Sequence, residues 1–171
     1  DLHSFPTRRS SDLSLADDLM AEVMKLTPAD FEKLCMILLR KMGYGSGLDE
    51  GYKVTQLSKD GGIDGYIEED PLGCRMICYQ AKQWNPDSTV NSPDIHQFSG
   101  AIHTKGKDLK GVFITTARFS SGARDDAQKA GIVLVDGEKM TKLMINYNVG
   151  VSIQHTYDVK KIDTDFFNDE F

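Results

Sequence analysis

Apolar side chains recur at helical spacing from Phe31 to Met42, with Phe31, Leu34, Cys35, Leu38, Leu39 and Met42 on one face. Thr27-Pro28-Ala29-Asp30 supplies the start signal: Thr27 as N-cap, Pro28 at N1 and Asp30 reaching back, while Gly43 supplies the stop. A short helical lead-in covers Leu15 to Leu26. The pattern then turns strand-like over Tyr52 to Ser58, Asp64 to Glu69 and Arg75 to Lys82, divided by Gly and Pro turns. Beyond a polar loop, Asn85 to Val90, Ser92-Pro93 opens a helix with Ile95, Phe98 and Ile102 inward. Gly111 to Thr116 is continuous and apolar, as expected of a central strand buried on both faces. Ser120 caps an alanine-faced helix (Ala123, Ala127, Ala130) that stops at Gly131, and Ile132 to Val135 reads as a second buried strand. A last helix spans Glu138 to Tyr147, with an edge strand from Val151 to Val159. Strand, helix, strand at this spacing implies a right-handed parallel crossover. The order predicts an α/β fold, a mixed central sheet flanked by helices.

The stretch from Asp60 to Trp84 carries the chemistry. Side chains on a strand alternate faces, so Gln80 and Lys82 share one face with Met76 and Cys78, while Tyr79 and Ala81 point the other way. That strand starts as core and turns polar at its end, where a buried amide and ammonium need partners. Asp64 lies sixteen residues before Gln80, and a hairpin of this length folds it back beside Gln80. A carboxylate, an amide oxygen and a lysine converging there suit one hard cation and a phosphodiester. Taken singly, each residue has a plainer reading. Asp64 after Gly61-Gly62 can be a turn residue, Lys82 can snorkel from a strand end, and Glu32 can be a first-turn glutamate favoured by the helix dipole. A calcium-loop reading of Asp60 to Asp70 fails, because Gly62 stands at position three and Pro71 at twelve.

Charge complicates this picture. The net charge of −6 argues against a broadly basic nucleic-acid surface. Its distribution is uneven: Pro71 to Ala130 holds eight Lys/Arg against five Asp/Glu, whereas Asp49 to Asp70 holds two against seven. Three cysteines, an odd number without a secretory signal, suit a reducing, cytoplasmic location. Cys74 and Cys78 would stand about 13 Å apart on one strand, too far to bridge. No apolar run is long enough to span a bilayer. At 171 residues the chain fits one domain, assigned to residues 14–159. Residues 1–13 lack periodicity and read as a non-native, adapter-derived or disordered segment, and 160–171 as an acidic tail.

Asp64 followed by Gln80-x-Lys82 resembles the PD-(D/E)XK nuclease signature in its Gln variant. More narrowly, D-G-G-I-D-G, E-D-P-L-G and Y-Q-A-K-Q-W, followed by G-V-F-I-T-T-A-R-F-S and G-I-V-L-V-D-G, are similar to the catalytic domain of Mrr-type restriction endonucleases over residues 27 to 155. The resemblance implies a restriction-endonuclease-like core and Mg²⁺-dependent cleavage of double-stranded DNA, with Mn²⁺ able to substitute, in defence against foreign or modified DNA. It implies Asp64, Gln80 through its side-chain oxygen, the Ala81 backbone carbonyl and Glu32 as metal ligands, with Lys82 orienting or deprotonating the attacking water. It also implies a recognition domain upstream and a homodimer or higher homo-oligomer addressing two strands. Gln97, Arg118, Lys105 and Lys107 are candidate substrate contacts, a solvated loop being the alternative for the lysines. Two departures stand out. Gln80 replaces a charged carboxylate, and Gln83 stands where basic residues often follow the lysine. A Holliday-junction or repair nuclease of the same fold, or a catalytically silent DNA-binding or regulatory module, remains open.

Overall fold

The computed structural model describes residues 8–45, 52–54, 62–70, 72, 74–105, 109–153 and 162. The elements are α1 (Arg8–Val23), α2 (Pro28–Lys41), β1 (Tyr52–Val54), β2 (Gly65–Glu68), β3 (Met76–Lys82), β4 (Thr89–Val90), α3 (Ser92–Lys105), β5 (Leu109–Thr115), β6 (Arg118–Phe119), α4 (Ser121–Ala130), β7 (Val133–Val135) and α5 (Gly137–Asn146). The main sheet runs β1-β2-β3-β5-β7. Its β1-β2-β3 part is antiparallel, while β3, β5 and β7 are parallel, so the sheet is mixed as expected.

Local chemistry explains the helix boundaries. Thr27 Oγ1 accepts from Asp30 N at 3.2 Å and donates to Asp30 Oδ2 at 2.7 Å, satisfying an orphan amide at the start of α2. Ser120 Oγ accepts from Ala123 N at 3.1 Å, and Gly131 ends α4 at φ +67°, a left-handed conformation that favours glycine. Asp136 caps α5 by accepting from Lys139 N, so this helix begins one residue earlier than its apolar pattern indicated.

The strand alternation sorts the core into two layers. Ile77 and Tyr79 of β3, with Val112 and Ile114 of β5, pack with Phe31, Cys35 and Leu38 of α2 and Met140 and Met144 of α5. Cys78 and Phe113 face the other way, into Ile95 and Phe98 of α3 and Ala123 and Ala127 of α4. Phe113 stacks edge-on against both Phe98 and Phe119. Strand β5 is thus central and buried on both faces.

Four expectations change. The helical lead-in expected from Leu15 to Leu26 is α1, running from Arg8 to Val23. The loop 85–90 contains β4, which pairs in parallel with β6. β7 closes one side of the described sheet, so Val133 is exposed and only Ile132 and Val135 of that run are buried. Residues 151–153 are not strand; the remainder of the proposed edge strand, 55–58 of the first strand, and the tail apart from Ile162 lie outside the described residues. Among the described residues no helix is long and apolar enough to cross a membrane.

Candidate active site at the end of the β2–β3 hairpin

The hairpin register pairs Gly65 with Tyr79 and Tyr66 with Cys78, and continuing it one residue sets Asp64 opposite Gln80. Two hydrogen bonds lock this position: Asp64 N donates to Tyr79 O at 2.9 Å, and Ala81 N donates to Asp64 Oδ2 at 2.6 Å. Lys82 follows as the last residue of β3. Its carbonyl accepts from Thr115 Oγ1 at 2.7 Å, and the Thr116 hydroxyl bridges the backbone N–H and C=O of Trp84. Two adjacent buried threonines, Thr115 at the end of β5 and Thr116 just beyond it, therefore fix the backbone that carries Lys82.

Gln80 is 5% exposed, and its Oε1 is buried without a hydrogen-bond partner. An orphaned buried acceptor costs about 1–3 kcal/mol, so this position asks for a cation or a donor. Gly62 makes the cradle: it holds φ +99°, and a Cβ there would collide with the Gln80 amide. Glu32, on α2 one residue past Phe31, shares the electrostatic surroundings of Asp64, as do Cys35 and Tyr79.

Burial pushes the Asp64 carboxyl up to about 6, against the Ala81 N–H, with the Glu32 charge raising it further and Lys82 lowering it. Burial also raises the Glu32 carboxyl. Two carboxylates that resist ionisation beside a partnerless amide oxygen form a donor set whose charged form is completed by a hard cation. All three donors are oxygens, the preference of Mg²⁺ or Mn²⁺ rather than of a thiol- or imidazole-seeking metal. Among the described residues no three His, Cys, Asp or Glu side chains form a group that could hold a metal ion.

Because Asp64 protonates more readily in the folded chain, the folded state binds more protons than the unfolded state between about pH 4 and 6. Its contribution to stability is fully present below the unfolded value and is lost as pH rises through about 6. Asp64→Asn should therefore melt above the parent at pH 8 without divalent ions, by about 2–5 °C, with the gap closing near pH 4. Thermal melts across this range check it, and a variant that melts lower at pH 8 would contradict the assignment.

The other sequence candidates divide by position. Arg118 lies three residues past Thr115, which pairs with Lys82, so it stands at the same end of the sheet, near Asp87 at 3.8 Å. Gln97 is exposed on α3. Lys105 lies eleven residues beyond Asp94, about 16 Å further along α3. Because β3 and β5 are parallel, that end of the helix leads to Leu109 beside Met76, away from Lys82. Lys105 is therefore not brought to the site, and Lys107 lies outside the described residues. A cavity of about 930 Å³ opens nearby, with Arg118, Arg124 and Lys142 balanced by Asp17, Asp136 and Glu138. It contains none of Glu32, Asp64, Gln80 or Lys82, and its lining carries no excess charge for phosphate.

Gln83 has a structural role that its sequence position did not announce. Its Nε2 donates to Val23 O and Leu26 O, each at 3.0 Å, tying the end of α1 to the residue after Lys82. Asp94, also unforeseen, stands 3.9 Å from Lys82 Nζ.

This layout, a mixed sheet between helical layers with the acid and lysine at a hairpin end, is the restriction-endonuclease fold. The DNA modification-dependent restriction endonuclease AspBHI superposes with a TM-score of 0.60, at 18% identity over 86% of this chain and 37% of that one. The MspJI restriction endonuclease in complex with a 27-mer oligonucleotide gives 0.56, at 23% identity over 85% and 34%. The chain belongs to the Mrr_cat restriction endonuclease family, whose model matches residues 23–144. It is 41% identical over 155 residues to the type IV methyl-directed restriction enzyme EcoKMrr of Escherichia coli (strain K12), covering 90% of this chain. The chain spans about half the length (49%) of that curated relative.

Proposed function

We propose that residues 14–159 form a Mg²⁺-dependent endonuclease domain that hydrolyses phosphodiester bonds of double-stranded DNA in the restriction of foreign or modified DNA. The observation that carries this reading is the meeting of Asp64, the partnerless Gln80 oxygen and Lys82 at one strand end, in a chain of a restriction endonuclease family. Asp64, Gln80 Oε1, the Ala81 carbonyl and Glu32 are the residues that would hold the cation, with Mn²⁺ able to replace Mg²⁺. Bound there, it would supply charge neutralisation at the phosphate and a more acidic water.

The chain's own side chains supply the rest. Lys82 donates from its ammonium to the water or to a phosphate oxygen, offsetting charge as the pentacovalent state forms. Gln80 keeps the site one charge less negative than a carboxylate would, which weakens cation binding and lowers repulsion of the incoming phosphate. Glu32 offsets the first effect. Arg118 is a phosphate contact on this reading, and Gln97 reaches the backbone from α3. Cutting both strands calls for two sites, hence a homodimer. Methylated DNA as the target rests on the relative's being a methyl-directed enzyme.

The test is nicking and linearisation of supercoiled plasmid, methylated and unmethylated, with Mg²⁺ or Mn²⁺, comparing the parent with Asp64→Ala. Divalent-dependent cleavage lost in the variant is the expected result. Absence of both cleavage and Asp64-dependent cation binding by calorimetry would leave a silent DNA-binding module instead.

A further inference from the structure

Helix α3 begins beside the end of β3, and its first turn holds a carboxylate with two different engagements. Asp94 Oδ2 accepts from the Asn91 backbone N–H at 3.4 Å, and Asp94 N donates to Asn91 O at 3.1 Å. This local contact fixes the carboxyl's direction, as in a capping box. Its other oxygen, Oδ1, faces Lys82 Nζ at 3.9 Å. Both side chains are about three-quarters covered, at 26% and 23% exposure, so the pair is screened less than a surface ion pair. On its other side the Lys82 ammonium lies 5.4 Å from the centroid of the Trp84 ring, within cation–π range.

The turn that presents Asp94 is itself braced. Asp126 of α4 accepts from the Ser92 hydroxyl and pairs with His96 at 3.0 Å, joining the start of α3 to α4. Trp84 is pinned through its backbone by Thr116. A free lysine side chain samples many rotamers, and here two neighbouring groups restrict it. At 3.9 Å the Asp94 contact is beyond hydrogen-bond length, so it orients the ammonium without consuming its donors.

We propose that Asp94 is the positioning residue for Lys82, holding the ammonium between its carboxylate and the Trp84 ring and aimed toward the Asp64 side of the site. This rests on the reading of Lys82 as the reacting lysine. It also accounts for an acidic residue placed where a polyanionic substrate must come close, a location that otherwise weakens binding.

Asp94→Asn separates this role from helix capping, because an asparagine oxygen still accepts from Asn91 N–H while the charge is gone. Its kcat should fall about 10- to 100-fold, the range for residues that support a reacting group through a partner. KM should stay level or fall, since removing a negative charge does not weaken DNA binding. The melting temperature should hold, and Asp94→Glu should recover part of the rate. A kcat for Asp94→Asn within about twofold of the parent, under the roughly tenfold floor for such partners, would overturn the proposal. Lys82→Ala run alongside reports on the parent reading: if it cleaves as well as the parent, the assignment of Lys82 fails.

A second readout needs no cleavage. In protein carrying ¹³C-lysine, the Lys82 ε-methylene should be displaced by the Trp84 ring current and identified by its disappearance in Lys82→Arg. In Asp94→Asn it should move to the value of the freely rotating lysines. A resonance that is not displaced in the parent, or that does not move in Asp94→Asn, sinks the inference whether or not the nuclease reading stands.

Discussion

Lys82→Ala is expected to slow divalent-dependent DNA cleavage by about 10²–10³-fold, the usual loss when one donor that offsets developing charge is removed. The fold should tolerate the change. The Lys82 side chain is partly exposed, and the hydrogen bonds that secure its position come from its backbone carbonyl, which accepts from Thr115 Oγ1 and Thr116 N. Truncation leaves those bonds in place, while Asp94 keeps its contact with the Asn91 N–H. DNA affinity should change little, because one ammonium is a small part of a phosphate-contacting surface. Single-turnover rates with saturating protein separate the chemical step from binding. A variant that retains more than about a tenth of the parent rate, above even the 10²-fold lower bound, would take Lys82 out of the chemistry.

Gly62→Ala is expected to disable the site from behind. Gly62 holds φ +99°, where an alanine is strained by about 1–2 kcal/mol. The new methyl would also drive into the Gln80 amide, whose side chain is 95% covered and has little free volume in which to retreat. The Gln80 amide must then shift, nitrogen first, and carry Oε1 with it. Divalent-ion affinity should drop at least about tenfold, as when the support of a metal ligand is lost, and urea denaturation should show the accompanying strain. If calorimetry finds cation binding unchanged in a folded variant, Gln80 does not contribute an oxygen.

How far the sequence led depended on the range of each interaction. The pairing of Asp64 with Gln80 was legible because strand alternation and a glycine turn fix a hairpin register over a short span. The caps at Thr27 and Ser120 were legible for the same reason: partner and cap lie three residues apart. The central strand followed from its unbroken apolar run. That run type cannot distinguish a centre from an edge, and so Val133 was expected inside but is exposed. The β4–β6 pair joins two-residue strands some twenty-nine positions apart, too short for any periodicity to register. Lys105 stands away from Lys82, because nearness along the chain is not nearness in space once a parallel register sends the end of α3 the other way. Asp94 went unnoticed in the sequence, and its place beside Lys82 became visible only when α3 was set against β3. Gln83 read as the loss of a basic contact, whereas its amide serves carbonyls 57 and 60 residues earlier in the chain.

That last connection makes α1 a lever. Its C-terminal turn grips the peptide next to Lys82 through a single side chain with two hydrogen bonds, and its body packs on α5 through Leu19 and Met20. A shift of one ångström at Val23 and Leu26 must either carry Gln83 with it or break both bonds. In the first case the backbone beside Lys82 is displaced, and in the second it is released. Strain applied to α1 therefore arrives at the end of β3 in one mechanical step.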